Sequence, residues 1–213
     1  MAEDESKFEK GVDRDTVINA GIQLIPYVGG SIATLYFGRK QERRFKRLET
    51  FYFELKSELN GFQNRLADIN DQNPEEFRAI LEELHEQIES EQISSKKKYY
   101  KTYFKSTLVE PVNGNYDERK LFLNILKSLS NIQIEILTFL VQHGKPVISN
   151  QIQKPGVDKA LVKGAVGQLV NHGLLNSQLN SIAFGGGGGQ MDESISVSKF
   201  GTQFHDFCVN GKL

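Results

Sequence analysis

The chain has 213 residues, 38% of them hydrophobic and 25% charged, and its 26 basic and 27 acidic residues leave a net charge of −1. This composition fits a soluble globular protein with one large or two small cores. It excludes a global attraction to nucleic acid or anionic lipid, so any such binding must come from local patches.

The N-terminal MAEDESKFEKGVDRD is acidic and polar and lacks the basic-then-apolar order of a secretion signal. A single cysteine, Cys208, allows no internal disulfide, and the two features together predict a cytoplasmic protein. Residues 17–37 are mostly apolar, but Asn19, Gln23, Ser31 and Thr34 interrupt them and Pro26, Gly29 and Gly30 break their middle. Each half covers roughly 15 Å at 1.5 Å per residue, half of a hydrocarbon core, so a helix–corner–helix in a bundle is expected before a membrane span. Arg39, Lys40, Arg43, Arg44, Lys46 and Arg47 follow, six positive charges in nine residues. This basic surface has three readings: pairing with an acidic helix, contact with anionic headgroups at about 1 kcal/mol per residue, or contact with nucleic acid.

Phe45, Leu48, Tyr52, Leu55, Leu59, Phe62, Leu66 and Ile69 alternate spacings of three and four, an apolar seam on one long helix. NDQNPEEF then ends one helix and starts another, with Asn73 as cap, Pro74 in the first turn and Glu75 and Glu76 at the positive end. The seam resumes at Phe77, Leu81, Leu84 and Ile88, which predicts an antiparallel helical hairpin, packed internally or as an intermolecular coiled coil. In KKKYYKTYFKSTL (96–108), Lys97, Lys101 and Lys105 form one stripe beside Tyr100, Tyr103, Phe104 and Leu108. Such aromatics serve either as core or as stacking platforms between lysines.

VEPVNGNY (109–116) interrupts two helical patterns and sets a boundary between residues 1–110, a helical bundle or hairpin, and residues 111–213. Beyond it, residues 117–129 read as a helix presenting Leu121, Phe122, Ile125 and Leu129. Ser130 caps a second helix carrying Ile132, Ile136, Leu137 and Leu140, ended by His143-Gly144. A short polar helix around ISNQIQ precedes DKALVKGAVGQLVNHG, a helix with Leu161, Ala165, Val166, Leu169 and Val170 inward. LLNSQLNSIAF and ESISVS, joined across five glycines, predict a β-hairpin, and KFGTQFHDFCV closes the chain as a helix on Phe200, Phe204 and Phe207. Three helices followed by a hairpin is the order of a winged helix-turn-helix.

In such a module the helix from Asp158 to His172 would read DNA, with Lys159, Lys163, Gln168, Asn171 and His172 as its polar candidates. Residues 130–213 hold six lysines, no arginine and five acidic residues, a weak footprint for phosphate binding. Protein contact therefore stands ahead of DNA, since fold alone does not decide function.

FGGGGGQMDES lacks the Lys-Ser/Thr pair of a phosphate loop and precedes a strand. His205 and Cys208 lie three apart, but His85, His143 and His172 are scattered and complete no metal set. No cofactor, metal or small-molecule substrate is predicted, nor an enzyme. DERKLFLNILKSLSNIQIEILTFL, the NHGLL turn and ISVSKFGTQFHDFC resemble the tail of the Abi-alpha family over residues 117–208. Those are bacterial proteins associated with abortive infection and prophages, with a helical region followed by a winged-helix-like C-terminus. The family's Thr-Pro-Phe-Gly stands here as Ser198-Lys199-Phe200-Gly201, and there are no family catalytic residues to transfer. The resemblance implies a bacterial or phage protein acting in phage–host conflict.

The expectation is thus a mainly α protein, an N-terminal helical hairpin or bundle followed by a winged helix-turn-helix with one β-hairpin. It would work without catalysis, through a protein partner or self-association. The alternatives are a DNA-binding transcriptional regulator and a membrane-active effector using the apolar-basic segment 17–47.

Overall fold

The computed structural model describes residues 46–48, 50–55, 58, 71–182 and 191–211. They are mainly helical, with one small three-stranded antiparallel sheet. The N-terminal stretch, the apolar segment 17–37, the seam positions Phe45, Leu59, Phe62, Leu66 and Ile69, and the glycine tract 185–189 lie outside the described residues. The chain divides into two compact units, 1–120 and 121–213.

In the first unit, residues 46–48, 50–55 and 58 are helical and bury Leu48, Phe51 and Leu55. Helix α1 (Pro74–Ser90) starts as its sequence predicts. The Asn73 side chain accepts from the Glu75 and Glu76 amides at 3.1 and 3.3 Å, satisfying two of the donors a helix start leaves free. Phe77, Leu81, Leu84 and Ile88 are all buried, as is Ile80 between them. The hairpin is antiparallel: Arg47 Nε donates to the Glu89 carbonyl at 2.6 Å, while five residues later Tyr52 is hydrogen-bonded to His85. Helix α2 (Ser94–Val109) completes this core by burying Tyr100, Tyr103, Phe104 and Leu108. Each such side chain contributes about 1.5–3 kcal/mol by leaving water. Buried Gln72 ties the exit of α2 to the entry of α1. Its Nε2 donates to the Thr107 carbonyl at 3.1 Å and its Oε1 accepts from the Val112 amide at 2.7 Å.

Helix α3 (Tyr116–Ser128) follows the VEPVNGNY loop, and the division between units falls inside it, after Lys120. Helix α4 (Asn131–His143) opens with a reciprocal capping box between Ser130 and Gln133 and stops at Gly144, whose left-handed φ of 68° suits glycine. Strand β1 (Val147–Ile148) and a 3-10 turn (Ser149–Gln151) lead to helix α5 (Lys159–Asn171), capped by Asp158. Strands β2 (Leu175–Ile182) and β3 (Met191–Val197) form an antiparallel hairpin, with β1 on the other side of β3, so the sheet order is β1-β3-β2. Helix α6 (Lys199–His205) runs into a π turn (Asp206–Asn210).

Leu123, Leu126, Ile134, Leu137, Leu140, Leu169, Leu174, Ile195 and Phe204 fill the second core, and Phe122 packs against Phe200, Phe204 and Phe207 at 5.4–5.7 Å between ring centroids. Five expectations need correction. Leu121 is 47% exposed and Leu161 56% exposed, while Leu123, Leu126 and Val162 are buried instead. Phe122, Ile125 and Leu129 in and just after α3, and Ala165, Val166 and Leu169 in α5, are buried as expected, so each inward stripe keeps its centre and differs at its margin. Ile132 and Val170 are half-buried rather than inward, since Ile134 and Leu169 take the central places. The polar helix around ISNQIQ shrinks to one 3-10 turn, and Val147–Ile148 joins the sheet ahead of it.

The start of α6 is built on a close approach. Ser198 caps it, its Oγ accepting from the Gly201 amide at 2.8 Å and donating to the Gly173 carbonyl at 2.6 Å. A Cβ at Gly201 would lie 2.0 Å from the Leu174 carbonyl oxygen, so only glycine fits.

Candidate macromolecule-binding surfaces

Helix α5 turns Val162, Ala165, Val166 and Leu169 into the core, so its outward line is Ala160, Gly164, Gly167 and Asn171. A Cβ at Gly164 or Gly167 would meet nothing within 4 Å. Packing among the described residues therefore does not require these glycines, although each costs about 1 kcal/mol of helix propensity relative to alanine. Their 4-3-4 spacing was readable in the sequence, but the side they occupy was not. Lys159, Lys163 and Leu161 are exposed on the flanks.

The five polar candidates of this helix separate into two groups. Lys159, Lys163 and Asn171 face solvent. Gln168 accepts through Oε1 from Gln133 Nε2 of α4 at 2.5 Å, and His172 shares a 3.2 Å hydrogen bond with the Ser128 hydroxyl of α3. The longest potential base-reading amide is thus tied to a neighbouring helix. Lys154, in the loop before α5, is paired with Glu135. On β2, residues 176–179 are exposed and uncharged.

Of the N-terminal basic cluster, Arg39, Lys40, Arg43 and Arg44 lie outside the described residues. Lys46 is exposed. Arg47 is half-buried and reaches the last turn of α1, where a cation complements the carbonyl end of the helix dipole. In the second lysine patch Lys97 is half-buried, and Lys101 and Lys105 pair with acidic residues of the first helical stretch. Lys101 contacts Glu54 at 3.2 Å and Glu58 at 2.7 Å, and Lys105 contacts Glu58 at 2.7 Å. Burial alone would raise the Glu58 carboxyl, but hydrogen bonds from the two lysines outweigh it and hold it below its ordinary range. The aromatics interleaved with these lysines are core, not platforms for bases.

Two of the histidines, His85 and His205, are buried. His85 sits edge-on to Tyr52, itself edge-on to Phe104, and burial pushes its pKa down to about 4. His205 Nε2 lies 3.2 Å from Thr138 Oγ1, with Asp206 at 3.7 Å from its Nδ1. This acid–imidazole–hydroxyl order resembles a nucleophile relay, but the Thr138 hydroxyl donates its proton to the Ile134 carbonyl at 2.8 Å. Nε2 must therefore donate to Thr138, which leaves the hydroxyl unactivated. His205 and Cys208 are both buried.

Among the described residues, no three His, Cys, Asp or Glu side chains gather to hold a metal ion. No helix among them is long and apolar enough to cross a membrane. Comparison with protein-family models, curated proteins and solved structures finds no significant match to the chain.

Proposed function

We propose that residues 111–213 form a winged-helix module that works through protein contact, in a non-enzymatic protein that acts by binding macromolecules. The order of α4, β1, α5, β2 and β3, with β3 in the middle of the sheet, supports the winged-helix reading. The observation that carries the choice of protein over DNA is the outward face of α5. Its centre is Ala160, Gly164 and Gly167, and of its exposed polar side chains Lys159, Lys163, Gln168 and Asn171, Gln168 has its Oε1 held by Gln133. A smooth face of this kind lets another backbone approach closely but reads few bases. The setting, phage–host conflict in a bacterial or phage cytoplasm, rests on the resemblance of residues 117–208 to the Abi-alpha tail. A membrane-active role would draw on Arg39 to Arg47 and the segment before them.

The test pairs two double variants of the full chain in a phage-protection assay, with duplex binding followed by anisotropy at low and physiological salt. Lys159→Glu with Lys163→Glu should leave protection intact, and Gly164→Arg with Gly167→Arg should abolish it while the fold is retained. If the wild type binds duplex and the lysine reversals remove both binding and protection, the DNA-regulator reading replaces this one.

A further inference from the structure

Strand β2 is the longer of the two edges of the sheet, the other being the two-residue β1. Among the described residues its partner is β3, and no second strand lies along its outer side. An exposed edge presents unpaired amides and carbonyls on every second residue, and proteins usually blunt such edges with lysine, proline or very short strands. Lysine, proline and shortness are all absent from this strand, and the device it does carry is a bulge after Leu179, which leaves Leu175–Leu179 regular. Leu175–Ile182 spans eight residues without a charge or a proline. From Asn176 to Leu179 both faces of the strand are exposed, and Leu179 is 58% exposed although Leu175, four residues back on the same face, is buried.

We infer that this edge pairs with β2 of a second copy of the chain, antiparallel and centred on Ser177. The strand's own order argues for that occupant and register. A bulge after Leu179 ends the regular ladder, so the straight segment is Leu175–Leu179 and its middle residue is Ser177. A two-fold axis there sets Leu175 opposite Leu179, Asn176 opposite Gln178 and Ser177 opposite itself. Apolar meets apolar, amide meets amide, and no like charges face each other. All odd positions share one side of the sheet, so Leu179 of each copy comes to lie beside buried Leu175 of the other, at the rim of its core. A charged or duplex partner would find no complementary charge on this strand. The inference stands whether the face of α5 takes protein or DNA.

The test is cysteine trapping in the full-length chain. Cys208, the natural cysteine, is buried, so a cysteine placed on β2 is the exposed one. At a two-fold centre, paired Cα atoms lie about 4.5–5.5 Å apart, within disulfide reach. One position away, equivalent residues are about 8 Å apart, beyond that reach. Ser177→Cys should therefore form a covalent dimer on mild oxidation, with Asn176→Cys and Gln178→Cys each remaining single chains. A mixture of the latter two should give the mixed dimer. In sedimentation, Ser177→Lys should weaken self-association at least tenfold with an unchanged circular dichroism spectrum. Equal crosslinking at all three positions, none at 177, or a dimer indifferent to the lysine overturns the inference. So does protection of the cysteine at 177 by added duplex, which would assign the edge to nucleic acid.

Discussion

His85 is held neutral by its surroundings, and that has a consequence for acid stability. The folded chain resists protonating it down to about pH 4, whereas the unfolded chain takes up the proton near 6.5. The unfolded state therefore binds more protons between those values, and stability falls as pH drops from 6.5 toward 4, then levels for this group. The full effect is about 3 kcal/mol at about 1.4 kcal/mol per unit. Urea titrations across this range should show a steep acid limb in the wild type and a shallower one in His85→Gln; identical limbs would remove His85 as the cause. Gly201 poses a purely steric problem. Gly201→Ala forces a methyl into the Leu174 carbonyl, and overpacking of this kind costs about 1–3 kcal/mol. A lowered urea midpoint with an unchanged slope is the expected result.

At the scale of elements, α5 shows how a helix of short apolar residues conceals its phase. Leu161, Val162, Ala165, Val166, Leu169 and Val170 form a stripe too broad to be covered by one neighbour. The Gln133–Gln168 hydrogen bond fixes the side that turns toward α4. Val162→Ala should cost about 2 kcal/mol as a core truncation, whereas Leu161→Ser should stay within about 0.5 kcal/mol as a surface change. Thermal melts of the two variants decide the phase, and a reversed order would rotate the helix by one residue. The hairpin of the first unit is read more easily, because charged residues separate its seam residues and Asn73-Pro74 marks the start of α1.

At the scale of the molecule, the two units each hold a core of their own. The second is closed by α3, α4, α5 and α6 around Phe122, Leu137, Leu169 and Phe204. A fragment spanning residues 111–213 is therefore expected to melt cooperatively with a helical circular dichroism signal, since domains of this size fold on their own. A gradual, non-cooperative melt would show that the second core is incomplete without residues 1–110. The near-absence of net charge bears on partners at this scale too. With six lysines against five acidic residues across 130–213, long-range steering toward phosphate is weak, and contact chemistry must come from particular faces.

Local signals carried most of the element order. Ser130 with Gln133, Asn73 with Pro74 and the Gly144 stop are contacts between residues a few positions apart, so their geometry is written in spacing alone. The β-hairpin and the closing phenylalanines were legible from composition and spacing, although the strands pair across as far as Leu175 to Val197 and the rings meet distant Phe122. Three features were decided only by tertiary structure: Leu161 and Leu121 facing outward, Gln168 and His172 bound to neighbouring helices, and the two residues of β1 joining β3. Each depends on groups distant in sequence meeting in space. Periodicity states that a helix has an apolar side, but the partners packed against it determine which residues occupy its centre and which are left exposed to bind something else.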